Sequence, residues 1–122
     1  MRDFKRIKAW HRAHTLAIAL HKRTQTFSRA GHARLKAQLT GAADSVKDTI
    51  AEGCGAATNK EFARFLDMSI KSANETEGHL LSARDLELVS LDEWQKFTAE
   101  TIEIRKMVYV YRKKVIETPD DE

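Results

Sequence analysis

The sequence predicts an all-α fold, an antiparallel up-down four-helix bundle. The first reason is how little there is to break helices: 5 Gly and 1 Pro in 122 residues, with no Asn-Gly or Asp-Gly hairpin signal. The second is apolar spacing in steps of three and four along four long segments, the period of a helix face. The third is a pair of Ser/Thr-x-x-Glu sequences, each placed just before such a segment.

The first helix is predicted over about residues 8–28. Trp10, Ala13, Leu16, Ala17, Leu20, Thr24 and Phe27 draw a single stripe along it. Ser28-Arg29-Ala30-Gly31-His32 then reads as a turn, with Gly31 free to take the positive φ that ends a helix. A second helix, about 33–53, carries Leu35, Leu39, Ala42, Ala43, Val46, Ile50 and Ala51 on one face, and Gly53-Cys54-Gly55 closes it. Thr58 and Glu61 form a capping box that opens a third helix to about residue 88. Phe62, Phe65, Leu66, Ser69, Ile70, Ala73, Leu80 and Leu81 face inward there. Ser90 and Glu93 form the second box and start a fourth helix over about 90–117. Short loops between four helices imply the up-down arrangement. Residues 1–117 are therefore expected to form a single domain, with residues 118–122 as a frayed acidic tail.

The fourth helix holds two apolar rows. Trp94, Phe97, Thr101, Ile104, Val108, Tyr111 and Val115 make a coiled-coil-like seam. Ile102, Tyr109 and Ile116 repeat every seven residues, about 100° round the helix from part of that seam. A wide core face would absorb this second row. Left outside the core, it would be an oligomer interface, since a monomer rarely leaves a long apolar row in water.

Charge is unevenly placed. The chain carries 21 Lys plus Arg against 18 Asp plus Glu, net +3. Residues 1–40 hold +9, residues 41–104 hold −7, and residues 105–116 add five bases without an acid. Such a distribution is the electrostatic footprint of a phosphate-binding surface. The candidate nucleic-acid-binding residues are Arg2, Lys5, Arg6, Lys8, Arg12, Lys22, Arg23, Arg105, Lys106, Arg112 and Lys113. The competing reading is a solvated face that answers acids within the protein or across a subunit contact. No helix-turn-helix spacing and no aromatic platform interleaved with the bases is evident, so binding should be directed at the phosphate backbone. A protein scaffold docking an acidic partner is the alternative function.

Catalytic and metal sites find no support in the sequence. Glu75 and His79 stand at i, i+4, but no second Glu/His pair completes a di-metal bundle. Cys54, the single cysteine, reads as a small buried residue at a helix end. Gly53-Cys54-Gly55 lacks the Lys and the strand of a phosphate loop. The expectation is a non-enzyme without cofactor or metal. A cytoplasmic location is expected too, because no apolar run approaches the ~18 residues of a membrane span and no signal segment follows Met1.

Phe4, Ala9-Trp10-His11-Arg12-Ala13, Leu35, Gln38-Leu39, Ser45-Val46, Ile50-Ala51-Glu52-Gly53, Glu61-Phe62-Ala63-Arg64-Phe65-Leu66, Ser72, Glu75 and Glu77 follow one another in that order. In this the chain resembles the four-helix-bundle proteins encoded within intervening sequences of bacterial 23S ribosomal RNA genes. It is also similar, more distantly, to the accessory proteins of diversity-generating retroelements. The chain departs from the family pattern at His11, Ser28, Thr49, Ala56 and Lys71. The resemblance implies a ring-like homo-oligomer, possibly a pentamer, without catalytic residues, and the second likeness implies contact with a reverse transcriptase and nucleic acid. Its motif residues Glu52, Gly53, Arg64, Ser72 and Glu75 are expected to be structural. Gly53 would permit close approach, Glu52 would accept from Arg64 or local N–H groups, and Glu75 would accept from Ser72 or its neighbours.

Overall fold

A computed structural model describes residues 2–120. It contains four α-helices: α1 (Lys8–Arg23), α2 (Ala33–Gly53), α3 (Asn59–Asp85) and α4 (Leu91–Glu117). Each helix packs against its neighbours round the bundle, most extensively α2 on α3 and α3 on α4, least α1 on α4. A single core of buried side chains runs between them, including Leu16, Leu20, Leu39, Ile50, Phe62, Leu66, Leu80, Ile104 and Val108. These are the residues the apolar stripes select.

α1 ends five residues sooner than its stripe predicts. Thr24 donates its hydroxyl to Leu20 O at 2.8 Å, and the chain tightens into a 3₁₀ turn over Thr24–Thr26. The tighter winding carries Phe27 into the core, where it is fully buried, so the stripe continues although the helix does not. Gly31 then takes φ +85°, and His32 N–H donates to Phe27 O at 2.8 Å.

α3 likewise stops at Asp85, three residues short. Leu88 N–H reaches back to Ala83 O at 2.9 Å and Glu87 N–H to Arg84 O at 3.0 Å, the bonding of a Schellman-type stop. Its left-handed residue is Glu87, φ +58°, where a Cβ is disfavoured. Replacing it with glycine is expected to stabilise the protein by about 0.5–1 kcal/mol, seen as a higher urea midpoint with unchanged slope.

The caps differ in completeness. Ser90 Oγ accepts from Glu93 N–H at 3.1 Å, and Glu93 accepts from Ser90 N–H at 3.0 Å. At α3 only half of the box forms as expected. Thr58 Oγ1 accepts from Glu61 N–H at 3.1 Å, whereas the Glu61 carboxylate takes Ala57 N–H at 3.4 Å. The tail supplies a further cap. Asp120 Oδ1 accepts from Asn59 N–H at 2.6 Å, and Thr118 O accepts from the Asn59 side-chain amide at 2.8 Å. Arg2 donates to the other end of that amide. Thr118–Asp120 is therefore docked rather than frayed, and Asn59 joins both ends of the described chain to α3. Asp121 and Glu122, also assigned to the tail, lie outside the described residues.

Glu93 has a second partner. The Arg23 guanidinium binds it and also donates to Leu88 O at 3.0 Å, fastening the end of α1 to the α3–α4 turn. Arg23 first, then the Ser90 backbone N–H, hold the Glu93 carboxyl down from its ordinary 4.5 to about 2. A carboxyl depressed on folding stabilises above its unfolded pKa and loses that contribution as pH falls through the folded value. Between pH 5 and pH 2 the protein should therefore lose stability that a Glu93→Gln variant does not lose. Because the pair is about one-third exposed, screening limits the difference to ~1 kcal/mol. Urea unfolding of both proteins at the two pH values measures it.

Candidate nucleic-acid interface

Helix length creates the opening. At 1.5 Å per residue, α1 spans about 24 Å and α4 about 40 Å, so α1 cannot cover all of α4. Arg23 of α1 meets Glu93 near the start of α4, and Arg12 meets Glu100 and Met107 farther along. Beyond that, on the side of α4 away from α3, residues 2–7 take the place of α1 beside the last turns, and Phe4–Arg6 there forms a 3₁₀ turn. Asp3 caps this turn, accepting from Lys5 N–H at 3.0 Å. Phe4 packs on Trp10 with ring centroids 4.8 Å apart, which holds the segment against the first turn of α1.

Two adjoining hollows lie along this short seam. The larger, about 460 Å³, is lined by Arg2, Asp3, Arg6, Ile7, Lys8, Ala9, Met107 and Tyr111. The second, about 320 Å³, is lined by Glu103, Lys106, Met107, Val110, Tyr111 and Lys114. Met107 and Tyr111 belong to both. The hollows thus form one groove, with Arg6 and Lys8 on one bank and Lys106 and Lys114 on the other.

The structure divides the sequence-selected bases into two sets. Arg12 grips Glu100 through two guanidinium nitrogens, and Arg23 grips Glu93. Arg105 donates to Glu77 at 2.5 Å and to Asn74 at 2.9 Å, while Arg112 donates to Asp67 at 2.7 Å. Arg2 serves Asn59 and lies 4.4 Å from the Phe62 ring centroid. Arg12, Arg23, Arg105 and Arg112 bridge helices, so their charge is already answered by carboxylates of α3 and α4; Arg2 has only a neutral amide and an aromatic ring as partners and lines the first hollow. The other set is Lys5, Arg6, Lys8, Lys22, Lys106 and Lys113. All are exposed, and none makes an ion pair among the described residues. Lys22 stands about 20 Å along α1 from Lys8, away from the groove.

Lys114 belongs to the basic run read from the sequence, but sequence reasoning missed the apolar residues beside it. It also missed the aromatic component. Tyr109 and Tyr111 stand inside the basic run from Arg105 to Lys114. Tyr111 was assigned to the core seam, yet it is only half-buried and lines both hollows. Its ring packs edge-on to Phe62 at 5.9 Å, and burial raises its phenol pKa, opposed by the charge of Arg2. The placing of both tyrosines between Arg105-Lys106 and Arg112-Lys113-Lys114 was the available signal.

The row expected on α4 is not absorbed by the core. Tyr109 is 61% and Ile116 44% exposed, and Ile102 is half-buried. Tyr109 borders another hollow of about 400 Å³ with Ile70, Arg105, Lys106 and Val110, on the side of α4 that faces α3.

The motif residues separate as well. Gly53 is a contact residue: a Cβ there would stand 2.7 Å from both Phe62 Cδ1 and Phe65 Cβ. Ser72 is buried and donates to Ser45 Oγ at 2.8 Å, rather than to Glu75. Glu52, Arg64 and Glu75 are exposed, and the expected Glu52–Arg64 pair does not form. Phe62, Ala63 and Leu66 face inward, which turns Arg64 outward by the helical period. Cys54 is buried, and burial raises its thiol pKa. Among the described residues no three His, Cys, Asp or Glu side chains stand together as a metal set, and no helix is long and apolar enough to cross a membrane.

With this geometry established, comparison with known proteins gives two findings. Residues 5–110 match the family model described as 23S rRNA-intervening sequence protein. The fold matches the crystal structure of a protein with unknown function from the S23 ribosomal protein family of Bacteroides thetaiotaomicron VPI-5482. The TM-score is 0.80 at 19% identity, over 86% of this chain and 95% of that one; at that identity the likeness concerns the fold. No curated protein matches the chain.

Proposed function

We propose a nucleic-acid-binding role from one premise: the chain belongs to the 23S rRNA-intervening sequence protein family. In this reading it is a non-enzymatic homo-oligomer that binds nucleic acid, RNA in preference, through the groove between α1 and α4. The observation that carries it is the sharing of Met107 and Tyr111 by two hollows, which sets Arg6 and Lys8 opposite Lys106 and Lys114. Cations gathered on a concave surface attract a polyanion far more than the net charge of +3 suggests. Each phosphate they neutralise releases condensed counterions.

Binding of nuclease-treated protein to structured RNA and duplex DNA across a salt series tests the proposal, with mass followed by light scattering. Expected is a steep negative slope of log affinity on log salt, carried by an oligomer. Absence of binding at low salt overturns it and leaves the basic face as a protein-docking surface, as in a reverse-transcriptase-accessory-like role, or as an internal charge-balancing one.

Oligomerisation enters through the flank of α4 nearer α3. Ile102, Tyr109 and Ile116, beside Ile70, offer an apolar surface that a second copy would cover, with Val110 and Lys106 at its border with the groove. A ring, pentameric or otherwise, would then present several grooves together and multiply a weak single-site affinity. Tyr109→Glu with Ile116→Glu is expected to yield a smaller species with unchanged helicity. Unchanged mass in light scattering would remove this row from the interface.

A further inference from the structure

We infer that the groove takes unpaired nucleotides: bases enter its two hollows while phosphates run along the Lys and Arg banks. The inference rests on the nucleic-acid reading and narrows it to single strands. The reason lies in the contrast between floor and rim. The floor is apolar, made by Ile7, Ala9, Met107, Val110 and one edge of Tyr111. The rim is cationic, made by Arg6, Lys8, Lys106 and Lys114.

A duplex presents phosphates and sugars on a convex surface. It could touch the cations, but it has no flat apolar group to lay on the open apolar surface between them. A single strand exposes flat, largely apolar base faces a short distance from its phosphates, and such faces bury well against Tyr, Met and Val. The hollows, about 460 and 320 Å³ and both open to solvent, offer a base one apolar face to lie on rather than an enclosure. Their shared wall of Met107 and Tyr111 would separate two successive bases.

Two acids line the groove, Asp3 and Glu103, and lower its positive charge without cancelling that of Arg6, Lys8, Lys106 and Lys114. Asp3 is engaged in capping Lys5 N–H. Glu103 is the one carboxylate lining the second hollow, where it could accept from an exocyclic amino group of a base. Tyr111 is held by its edge-on contact with Phe62 and by the Arg2 guanidinium over that same Phe62 ring. The floor is therefore already shaped before a ligand arrives.

Fluorescence anisotropy of the full chain decides the matter with three probes at one salt concentration: a labelled 12-nucleotide single-stranded DNA, its duplex with the complement, and the same single strand made abasic. The unmodified strand is expected to bind about tenfold more tightly than either of the others, the contribution of one well-stacked base. Val110→Ala with Met107→Ala should lower single-strand affinity by about tenfold and leave the salt slope unchanged, because no phosphate contact is removed. Val110 is half-exposed, so Val110→Ala alone repeats the test should the double variant lose helicity. Equal binding of the duplex or of the abasic strand overturns the inference and leaves the wider reading standing. No binding of any probe overturns the inference as well, while the RNA arm of the salt series decides the wider reading.

Discussion

Gly53→Ala is expected to destabilise the bundle by about 2 kcal/mol, while Gly41→Ala in the same helix stabilises it by up to about 1 kcal/mol. Gly41 lies in the helix interior, where alanine gains its full propensity advantage, and Gly53 is the last residue of α2, where that gain is smaller. Around Gly41 there is nothing within 4 Å of an added Cβ, so the full gain is kept. At Gly53 the new methyl would meet Phe62 Cδ1 and Phe65 Cβ, each at 2.7 Å. The Phe65 atom is the root of its side chain, which moves only if α3 moves. The Phe62 ring is fully buried and enclosed by Tyr111 and Arg2, so it has little room to turn. α2 and α3 must therefore separate, and overpacking of this kind costs about 1–3 kcal/mol or more. Thermal unfolding should show a midpoint roughly 8 °C lower for Gly53→Ala and a small rise for Gly41→Ala. Equal shifts in one direction would show that close approach does not control this position. Because Phe62 supports Tyr111, the destabilised variant should also bind single strands less tightly.

Removing three groove lysines, Lys8→Ala with Lys106→Ala and Lys114→Ala, is expected to lower nucleic-acid affinity by about 10- to 100-fold at low salt. It should also flatten the log–log salt slope by about 2 to 3. These side chains are exposed and make no ion pair among the described residues, so the fold should keep its stability. The contrasting variant is Arg12→Ala with Arg23→Ala. Those guanidiniums already face Glu100 and Glu93, so their loss should cost stability, on the order of 1 kcal/mol each, and leave the salt slope nearly unchanged. A triple-lysine variant with the wild-type slope would move the phosphate contacts elsewhere on the protein. The comparison separates cations that bind from cations that brace the fold, a distinction that net charge cannot make.

The helices were legible from local signals. The stripes identified the core, the Ser90 box and Gly31 behaved as their residue types require, and α2 and α4 ended where the patterns ended. The misjudged ends have a common origin. At Thr24 and at Leu86–Leu88 the apolar pattern persists past the helix, because a 3₁₀ turn or a left-handed stop can also direct Phe27 or Leu88 inward. Periodicity reports which side chains face the core and says less about the hydrogen bonds beneath them. The candidate site was less legible. The basic segments were visible, but Arg12, Arg23, Arg105 and Arg112 looked identical to Lys8 and Lys106 until their distant carboxylates were located.

By itself, then, the sequence determined the class of fold, the four helices, their inward faces and the concentration of positive charge near both ends. These follow from interactions within a few residues, written directly in spacing and residue type. Only the tertiary structure decided that four arginines are spent on Glu77, Glu93, Glu100 and Asp67. It alone docked Asp120 on Asn59 and pressed Gly53 against Phe62. It also left the groove open beside α4, because α1 is the shorter helix. Each of these depends on the relative length, phase and register of helices distant in sequence, and no local pattern records how two helices will meet.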